Sequence, residues 1–285
     1  MTRALCAVIL AAGEGTRLRP LTDSTPKALC PVGNVPLLDR ALARLNHHGL
    51  SGPAVVAVNA CHLADQIIEH VGGRAFPSRE PGPPPLGTAG AVANLRPWIA
   101  DRAVLVGNAD GYLAPRASAT KDLAPLLDGW DGTTVRMLCV PAGDAPAEFG
   151  QLRFAGFSLL PALVAAGLPP TPSSLVLSAW RPAERQGRLE LITYDGLYLD
   201  TGTPADYLAA NLHAAGPDSL VAPDAAVDGT VEHSVVGAGA RVHGSLKRSV
   251  VLPGGLVDAD EHLVDAIRSP SGLTIRLKPH KRISI

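Results

Sequence analysis

The chain of 285 residues lacks an excess of either charge, since 25 lysines and arginines stand against 26 aspartates and glutamates. Proteins that bind nucleic acid usually carry a strongly basic surface, and the net charge of −1 gives no sign of one. The chain also lacks an apolar run of the roughly 18 residues that a membrane-spanning helix needs. Neither nucleic acid nor a membrane is therefore an expected partner.

Cysteine is scarce and scattered, which argues against both disulfides and zinc. The four cysteines are Cys6, Cys30, Cys61 and Cys139. No C-x-x-C spacing appears, so the usual pattern of a zinc site is absent. We interpret the four residues as reduced, mostly buried thiols, and we expect a cytoplasmic protein.

Two familiar phosphate-binding motifs are absent from the glycine-containing stretch at residues 10–20, LAAGEGTRLRP. A Walker A loop needs G-x-x-x-x-G-K-[S/T], which does not occur. A dinucleotide fingerprint needs G-x-G-x-x-G at the start of a helix. Gly13 and Gly15 match it, but Leu18 stands at the third glycine and Pro20 would interrupt the helix. The sequence also shows no Ser/His/Asp or Cys/His arrangement typical of nucleophilic catalysis.

Strand-like and helix-like segments alternate along the chain up to about residue 140. The predicted strands are ALCAVIL, AVVAV, RAVLVGNAD and TTVRMLCV, and the predicted helices are VPLLDRALARLNHHG, CHLADQIIEHVGG and AGAVANLRPWI. This order indicates βαβ units and an α/β, Rossmann-like domain with a mixed, mostly parallel sheet. Because ligands bind beyond the carboxyl ends of such strands, residues 13–19 and 108–110 are expected at the same rim.

A 15-residue repeat occupies the C-terminal part of the chain. Its aliphatic positions are Val221, Val236 and Val251, together with Val227, Val242 and Val257. Within each unit the two positions are six apart, which is typical of a hexapeptide β-helix. We predict a short left-handed β-helix over residues 218–285, following a first domain over residues 1–215. An irregular Gly/Pro/Val-rich tail is the alternative.

The loop at residues 10–20 continues as LAAGEGTRLRPLTDSTPKALCPVGNVPLL. This stretch resembles the signature of the sugar-1-phosphate nucleotidyltransferases, G-x-G-T-R-L-x-P-L-T followed by P-K-x-L and P-V. Further segments that match the family are PLGTAGAV, LVGNAD, FAGFSLLP and YLDTGTPADYLAAN. The resemblance covers nearly the whole chain, and the segment PLGTAGA is similar to the mannose-1-phosphate guanylyltransferase-like members.

The resemblance implies a reaction in which a sugar 1-phosphate attacks the α-phosphorus of a nucleoside triphosphate and releases pyrophosphate. Such transfers depend on positioning and charge neutralisation. Glycines at 13 and 15 allow backbone N–H groups to approach phosphates, and Arg17 and Lys27 are the implied phosphate-binding cations. The implied catalytic residues are Arg17, Lys27 and Asp110.

The implied metal is Mg²⁺, which takes one or two carboxylates together with substrate phosphates. The carboxylates that match the family are Asp110 and Asp200, and their pairing comes from the resemblance alone. The implied nucleotide contacts are Leu10, Ala12, Gly13, Gly15, Thr16, Gly87 and Thr88, with Glu80 as a further candidate. The stretch EPGPPP around Glu80 could equally be a stiff surface loop.

One segment departs from the family pattern. The expected E-K-P step, whose lysine meets the sugar phosphate, is missing between Phe149-Gly150 and Ala155-Gly156. Arg153 lies between these two dipeptides and is the candidate replacement. The implied sugar-phosphate contacts are Gly150, Arg153, Ala155, Gly156 and Thr203.

Several functions stay open at this point. GTP is the favoured donor, with UTP or dTTP as the alternative. A non-catalytic subunit that binds nucleotide sugar is a second class, favoured by the missing lysine and disfavoured by the complete charged set. An acyltransferase activity of the repeat region is a third, for which three short coils leave little room. A homo-oligomer assembled through the repeat region is the expected quaternary state.

Overall fold

The structure is a computed structural model that describes residues 5–116, 122–143 and 145–277. Residues 1–4 and 278–285, at the outer ends of the two predicted domains, lie outside the described residues. The chain divides into two compact units. Unit 1 comprises Met1–Glu14, Ser24–Leu29 and Leu38–Tyr198, and unit 2 comprises Gly15–Asp23, Cys30–Leu37 and Leu199–Ile285. The predicted domain ranges stay a prediction.

Strands and α-helices are numbered here in chain order. The strands are β1 Leu5–Leu10, β2 Pro31–Val32, β3 Val35–Pro36, β4 Val56–Ala60, β5 Phe76–Arg79, β6 Ala103–Asn108, β7 Gly111–Pro115, β8 Val135–Pro141, β9 Leu152–Leu160, β10 Leu189–Thr193, β11 Gly196–Asp200, β12 Leu220–Val221, β13 Ala226–Val227, β14 Thr230–Glu232, β15 Val235–Val236, β16 Arg241–Val242, β17 Ser245–Lys247, β18 Val250–Val251, β19 Leu256–Val257, β20 His262–Val264, β21 Ala266–Arg268 and β22 Thr274–Arg276. The α-helices are α1 Leu37–His47, α2 Ala64–Val71, α3 Gly87–Asn94, α4 Arg96–Ile99, α5 Ala124–Leu127, α6 Ala162–Ala166, α7 Arg181–Arg185 and α8 Pro204–Ala215. Short 3₁₀ helices cover Thr16–Leu18 and Lys27–Leu29, and a π-helical turn covers Val176–Trp180.

Unit 1 is built on a seven-stranded sheet in the order β10-β8-β9-β6-β1-β4-β5. Strand β1 is parallel to β4 and β6, β4 is parallel to β5, and β8 is parallel to β10. Strand β9 runs antiparallel between β6 and β8. The predicted mixed, mostly parallel sheet is therefore confirmed. Leu10 lies opposite both Asn59 and Asn108, so β1, β4 and β6 end at one rim.

The side chains of β1 alternate between two hydrophobic clusters. Ala7 and Ile9 belong to one cluster, and Cys6 and Val8 belong to the other. Because successive side chains of a strand point to opposite faces, the sheet is covered on both sides, as parallel sheets usually are. Helix α1 packs into the first cluster and helix α3 into the second.

The predicted helices are present, with differences at their ends. Helix α2 ends where Gly72 takes a left-handed conformation (φ 53°) and donates its N–H to the Ile68 carbonyl at 3.3 Å. The third predicted helix is two helices, α3 and α4, because Leu95 leaves the helical conformation and Pro97 has no N–H to donate. Among the described residues, no helix combines the length and apolar character needed to cross a bilayer.

The repeat region of unit 2 forms three sets of short strands, which are parallel except for β22, and β22 runs antiparallel to β21. Val221, Val236 and Val251 lie opposite one another in one set, and Val227, Val242 and Val257 do so in another. The next step is 17 residues instead of 15, since Ser245 pairs with His262. This ladder is consistent with the predicted β-helix and excludes an irregular tail, while the left-handed sense stays a prediction. Helix α8 packs against β15 and β21.

The cysteines are free thiols in the described structure, as expected. Cys6, Cys30 and Cys139 are buried, and Cys61 is partly exposed. Burial raises the pKa of the Cys6 thiol to about 11 and that of Cys139 to about 12. These two thiols are therefore protonated, unreactive core side chains at neutral pH.

Candidate functional site

A buried lysine and a carboxylate form an ion pair at the rim of unit 1. Lys27 begins a 3₁₀ helix, and its side chain is only 7% exposed. Asp110 follows β6, where the Ala109 N–H is held by the Leu10 carbonyl at 3.0 Å. The Lys27 Nζ donates to Asp110 Oδ2 at 2.7 Å. A buried ammonium needs such a partner because desolvation of an unpaired charge is costly.

A second pair of the same kind lies in unit 2. Arg17, in the 3₁₀ helix Thr16–Leu18, donates through its guanidinium to Asp200 Oδ2 at 3.2 Å. This pair is open to solvent, since the Arg17 side chain is 66% exposed and that of Asp200 41%. Each predicted phosphate-binding cation is thus bound to one of the two predicted metal-binding carboxylates.

The structure gives different explanations for the two glycines of the N-terminal loop, Gly13 and Gly15. A Cβ added to Gly13 would have no neighbour within 4 Å, so packing within the protein does not require glycine there. Gly15 has φ 64°, the left-handed conformation that glycine favours, and precedes the 3₁₀ helix. Leu18, which stands where a dinucleotide fingerprint has glycine, is fully buried. Ala12 is buried, and Thr16 is exposed.

Gly87 and Thr88 hold a neighbouring segment at residues 171–175. A Cβ on Gly87 would lie 2.5 Å from the Ser173 carbonyl oxygen, and Gly87 also has φ 70°. The Ser173 N–H donates to the Leu86 carbonyl at 3.0 Å. The Thr88 hydroxyl accepts the Leu175 N–H at 2.8 Å. The backbone approach requires glycine, and the threonine hydroxyl is already engaged with the protein.

Glu80 is buried and bound through both carboxylate oxygens, although the prolines that follow it are on the surface. Its Oε1 accepts from Asn59 Nδ2 and its Oε2 accepts from the Leu86 N–H, each at 2.7 Å. Asn59 Oδ1 in turn accepts the Ala11 N–H at 2.7 Å. Sequence analysis did not single out Asn59. The signal that could have found it is a polar residue directly after the apolar run at residues 54–58.

Arg153 lies at the start of β9 and rests on an aromatic ring. Its guanidinium carbon is 5.3 Å from the centre of the Tyr198 ring, and one terminal nitrogen reaches the Tyr198 carbonyl at 3.4 Å. Its Nε is buried and has no hydrogen-bond partner among the described residues. A Cβ on Gly111 or on Gly156 would meet the same ring, at 3.0 and 3.6 Å. The two glycines therefore make room for the tyrosine that supports Arg153.

The other predicted sugar-phosphate contacts have structural roles of their own. Ala155 is fully buried. Gly150 has φ 62° in the turn where Phe149 pairs with Leu152. Thr203 in unit 2 is the N-cap of α8, since its Oγ1 accepts the Asp206 N–H at 3.2 Å. None of these contacts tests binding, so the assignments stay predictions.

Oxygen ligands for a magnesium ion are present at both ion pairs. No group of three or more His, Cys, Asp and Glu residues is placed to hold a metal within residues 5–116, 122–143 and 145–277. Mg²⁺ does not need such a group, because it is bound by one or two carboxylates with substrate phosphates and water. The donor chemistry of Asp110 and Asp200 therefore fits this ion.

An open, mostly parallel α/β sheet with charged residues at its rim is typical of ligand-binding α/β enzymes. A family model described as nucleotidyl transferase matches residues 6–153, just over half of the chain. The match includes Arg17, Lys27, Asp110 and Arg153. The chain belongs to the nucleotidyl transferase family and is an enzyme of that class, as its sequence predicts.

Three known proteins similar to this chain are named as nucleotidyltransferases that act on a sugar 1-phosphate. The N-acetylmuramate alpha-1-phosphate uridylyltransferase of Caulobacter vibrioides is 27% identical over 239 residues, covering 73% of this chain and 96% of that protein. The mannose-1-phosphate guanylyltransferase of Mycobacterium tuberculosis is 32% identical over 157 residues, covering 52% of this chain and 40% of that protein. A solved Bacillus anthracis structure, described as a glucose-1-phosphate thymidylyltransferase, has a TM-score of 0.62 and 18% identity, covering 75% of this chain and 96% of that one. This last similarity supports the fold alone.

Proposed function

We propose that the protein transfers a nucleotidyl group from a nucleoside triphosphate to a sugar 1-phosphate and releases pyrophosphate. The observation that carries the proposal is the pairing of Lys27 with Asp110 and of Arg17 with Asp200 in a chain of this family. The named relatives support the acceptor class, because N-acetylmuramate α-1-phosphate and mannose 1-phosphate are both sugar 1-phosphates.

The reaction needs no protein nucleophile. An oxygen of the sugar phosphate forms a bond to the α-phosphorus, and the bond from that phosphorus to the pyrophosphate oxygen breaks. The main barrier is electrostatic, since two polyanions meet and charge moves onto the leaving group. Lys27 supplies a fixed cation held by burial, and Arg17 supplies an exposed fork of donors that suits phosphate oxygens.

We further propose Mg²⁺ as the metal, with Asp110 and Asp200 as its protein ligands. When bound with the triphosphate, this ion supplies charge neutralisation that two cationic side chains alone provide only in part. The support is the hard oxygen chemistry of both carboxylates. Removal of divalent ions with EDTA should abolish pyrophosphate release, and added Mg²⁺ should restore it.

Arg153 is proposed as the cation for the sugar phosphate, in place of the missing lysine. Its buried Nε lacks a protein partner among the described residues, and Tyr198 restricts the guanidinium by stacking. Replacement by methionine should raise the KM for the sugar phosphate more than the KM for the triphosphate. An equal rise in both would contradict this assignment.

The donor base has two candidates. GTP is favoured by the segment PLGTAGA at residues 85–91, which resembles guanylyl-transferring enzymes. UTP is favoured by the match to the Caulobacter uridylyltransferase, because that match spans nearly the whole relative. The protein is also proposed to be cytoplasmic and to form a homo-oligomer through a left-handed β-helix in residues 218–285. A monomer by light scattering at micromolar concentration would contradict the oligomer.

The deciding experiment is a matrix of GTP, UTP, dTTP and CTP against hexose, amino-sugar and N-acetylmuramate 1-phosphates, with pyrophosphate as the readout. The proposal expects at least one strongly preferred pair. Binding of nucleotide sugar without pyrophosphate release from any pair would favour the non-catalytic alternative and refute the proposed function.

A further inference from the structure

We propose that Asn59 and Glu80 are positioning residues that fix the spacing between two backbone segments, residues 10–13 and 86–88. These segments are the predicted contacts of the nucleotide, so the inference rests on the proposed function. It assigns Glu80 a role through the backbone instead of a direct contact with the base, and it adds Asn59 to the site.

The two side chains form a continuous bridge between the segments. The Ala11 N–H donates to Asn59 Oδ1, Asn59 Nδ2 donates to Glu80 Oε1, and the Leu86 N–H donates to Glu80 Oε2. All three distances are 2.7 Å. Both side chains belong to buried residues at the ends of neighbouring parallel strands, where the Glu80 N–H is also held by the Ala60 carbonyl at 2.9 Å.

The direction of every hydrogen bond in the bridge is fixed. A backbone N–H can only donate, so Asn59 must present its oxygen to Ala11 and its NH₂ to Glu80. Glu80 must then accept at both oxygens, which an ionised carboxylate does and an amide cannot. Asparagine at position 59 and glutamate at position 80 together satisfy all three hydrogen bonds.

The bridge explains why a buried carboxylate is tolerated near a predicted site for a polyanion. A free carboxylate would repel phosphate, but both oxygens of Glu80 are turned to protein donors. Through Asn59, Glu80 fixes the distance between Leu86, which lies just before Gly87 and Thr88, and the backbone of residues 10–13. A backbone contact cannot be corrected by a change of rotamer, so small shifts of either segment should weaken nucleotide binding.

Reversing the hydrogen-bond polarity provides a test. In the double variant Asn59→Asp/Glu80→Gln, Asp accepts from Ala11 N–H and from the Gln amide, and the Gln oxygen accepts from Leu86 N–H. All three bonds and the net charge are kept. In Glu80→Gln alone one buried donor is left without an acceptor, and in Asn59→Asp alone two carboxylates face each other.

The expected result is a rise of about 10-fold to 100-fold in the KM for the nucleoside triphosphate in each single variant, because misplaced contacts cost affinity. The kcat at saturation should stay within about 3-fold, and the double variant should return the KM to near the wild-type value. The exposed Glu69→Gln on α2 is the matched control, since it makes the same chemical change away from the bridge. Thermal unfolding of all variants separates loss of binding from loss of folding.

Two results would overturn the inference. A double variant as weak as Glu80→Gln would show that the carboxylate at position 80 acts directly on the nucleotide. Single variants with wild-type KM would show that the bridge does not position the site. Failure of the proposed function can be distinguished from failure of this inference. Calorimetric titration of the triphosphate into the folded variants ranks their affinities for the nucleotide without requiring turnover.

Discussion

Lys27–Asp110 in unit 1 and Arg17–Asp200 in unit 2 have the same chemistry in different surroundings. The first joins a side chain that is 7% exposed to one that is 39% exposed, at 2.7 Å. The second joins side chains that are 66% and 41% exposed, at 3.2 Å. An exposed ion pair contributes about 0–1 kcal/mol to folding. Removal of one member of a fully buried pair costs about 3–5 kcal/mol.

This difference in burial gives the two cations different roles, although the sequence motif presents both simply as phosphate-binding cations. The Arg17 guanidinium can be released to a ligand at little cost in stability, because water replaces Asp200 easily. The Lys27 ammonium has little access to water and stays where its surroundings hold it. We therefore expect variants of Lys27 or Asp110 to change both activity and stability, and variants of Arg17 to change activity alone.

The largest effect is expected for Lys27→Met. The variant removes a fixed cation, and loss of one preorganised charge-stabilising group typically costs about 10²-fold to 10³-fold in kcat. Pyrophosphate release measures kcat, and circular dichroism measures the unfolding midpoint. The control is Lys247→Met, at an exposed pair with Glu232. A variant of Lys27 that keeps activity within tenfold would contradict its catalytic assignment.

Asp110→Asn should remove most turnover, about 10²-fold, while the protein still folds cooperatively. The amide oxygen can still accept from Lys27, but the buried ammonium loses its counter-charge. Since Asp110 is partly exposed, we expect a loss of about 1–2 kcal/mol in the free energy of unfolding, below the fully buried case. Near-normal turnover would refute a metal or catalytic role. Asp65→Asn, at an exposed carboxylate paired with Arg79, is the control.

Arg17→Gln is predicted to lower activity by about 10²-fold with a change in unfolding free energy below about 1 kcal/mol. A steady-state assay of pyrophosphate release measures the activity, and urea unfolding measures the free energy of unfolding. The exposed Arg241→Gln on β16 should leave both unchanged. A large loss of stability in Arg17→Gln would remove the distinction between the two pairs.

A smaller effect is expected from His213 on α8 of unit 2. Burial lowers the pKa of His213 below its ordinary value of 6.5, so the unfolded chain binds a proton more readily than the folded one. Stability should therefore fall as the pH drops below about 6.5 and gain nothing from this residue at higher pH. His213→Gln should reduce the slope of the unfolding midpoint against pH between pH 5.5 and 7.5. The same substitution at the exposed His47 should leave that slope unchanged. An unchanged slope would show that another group controls this range.

Much of unit 1 could be predicted from local patterns. Strand β1, helix α1 and helix α2 follow apolar spacing that the sequence displays directly. The antiparallel β9 between β6 and β8 could not be predicted in this way, because pairing depends on contacts between distant segments. Strand β4 covers Val56–Ala60, two residues later than its apolar run at 54–58, because Asn59 pairs with Leu10 of β1 and Ala60 pairs with Arg79 of β5.

The repeat region shows the same limit. Equal spacing of the valines predicts stacked coils, and the ladders of residues 221–257 agree with it. The following step of 17 residues has no matching valines, so no periodic pattern marks it. Its place in the ladder depends on Ile267 and His262 pairing with residues of the preceding coil.

The sequence by itself determined the residue types of the two ion pairs and of the glycine loop: Arg17, Lys27, Asp110 and Asp200, with Gly13 and Gly15, all stand in motifs that a linear pattern reveals. Only the tertiary structure decided which cation binds which carboxylate and how deeply each pair is buried. Lys27 and Asp110 are 83 positions apart, and Arg17 and Asp200 are 183 positions apart. The role of Asn59 and Glu80 likewise follows only from the hydrogen bonds that they make with distant backbone N–H groups and with each other. Hydrogen bonds and burial depend on distance in space, which local sequence patterns do not encode.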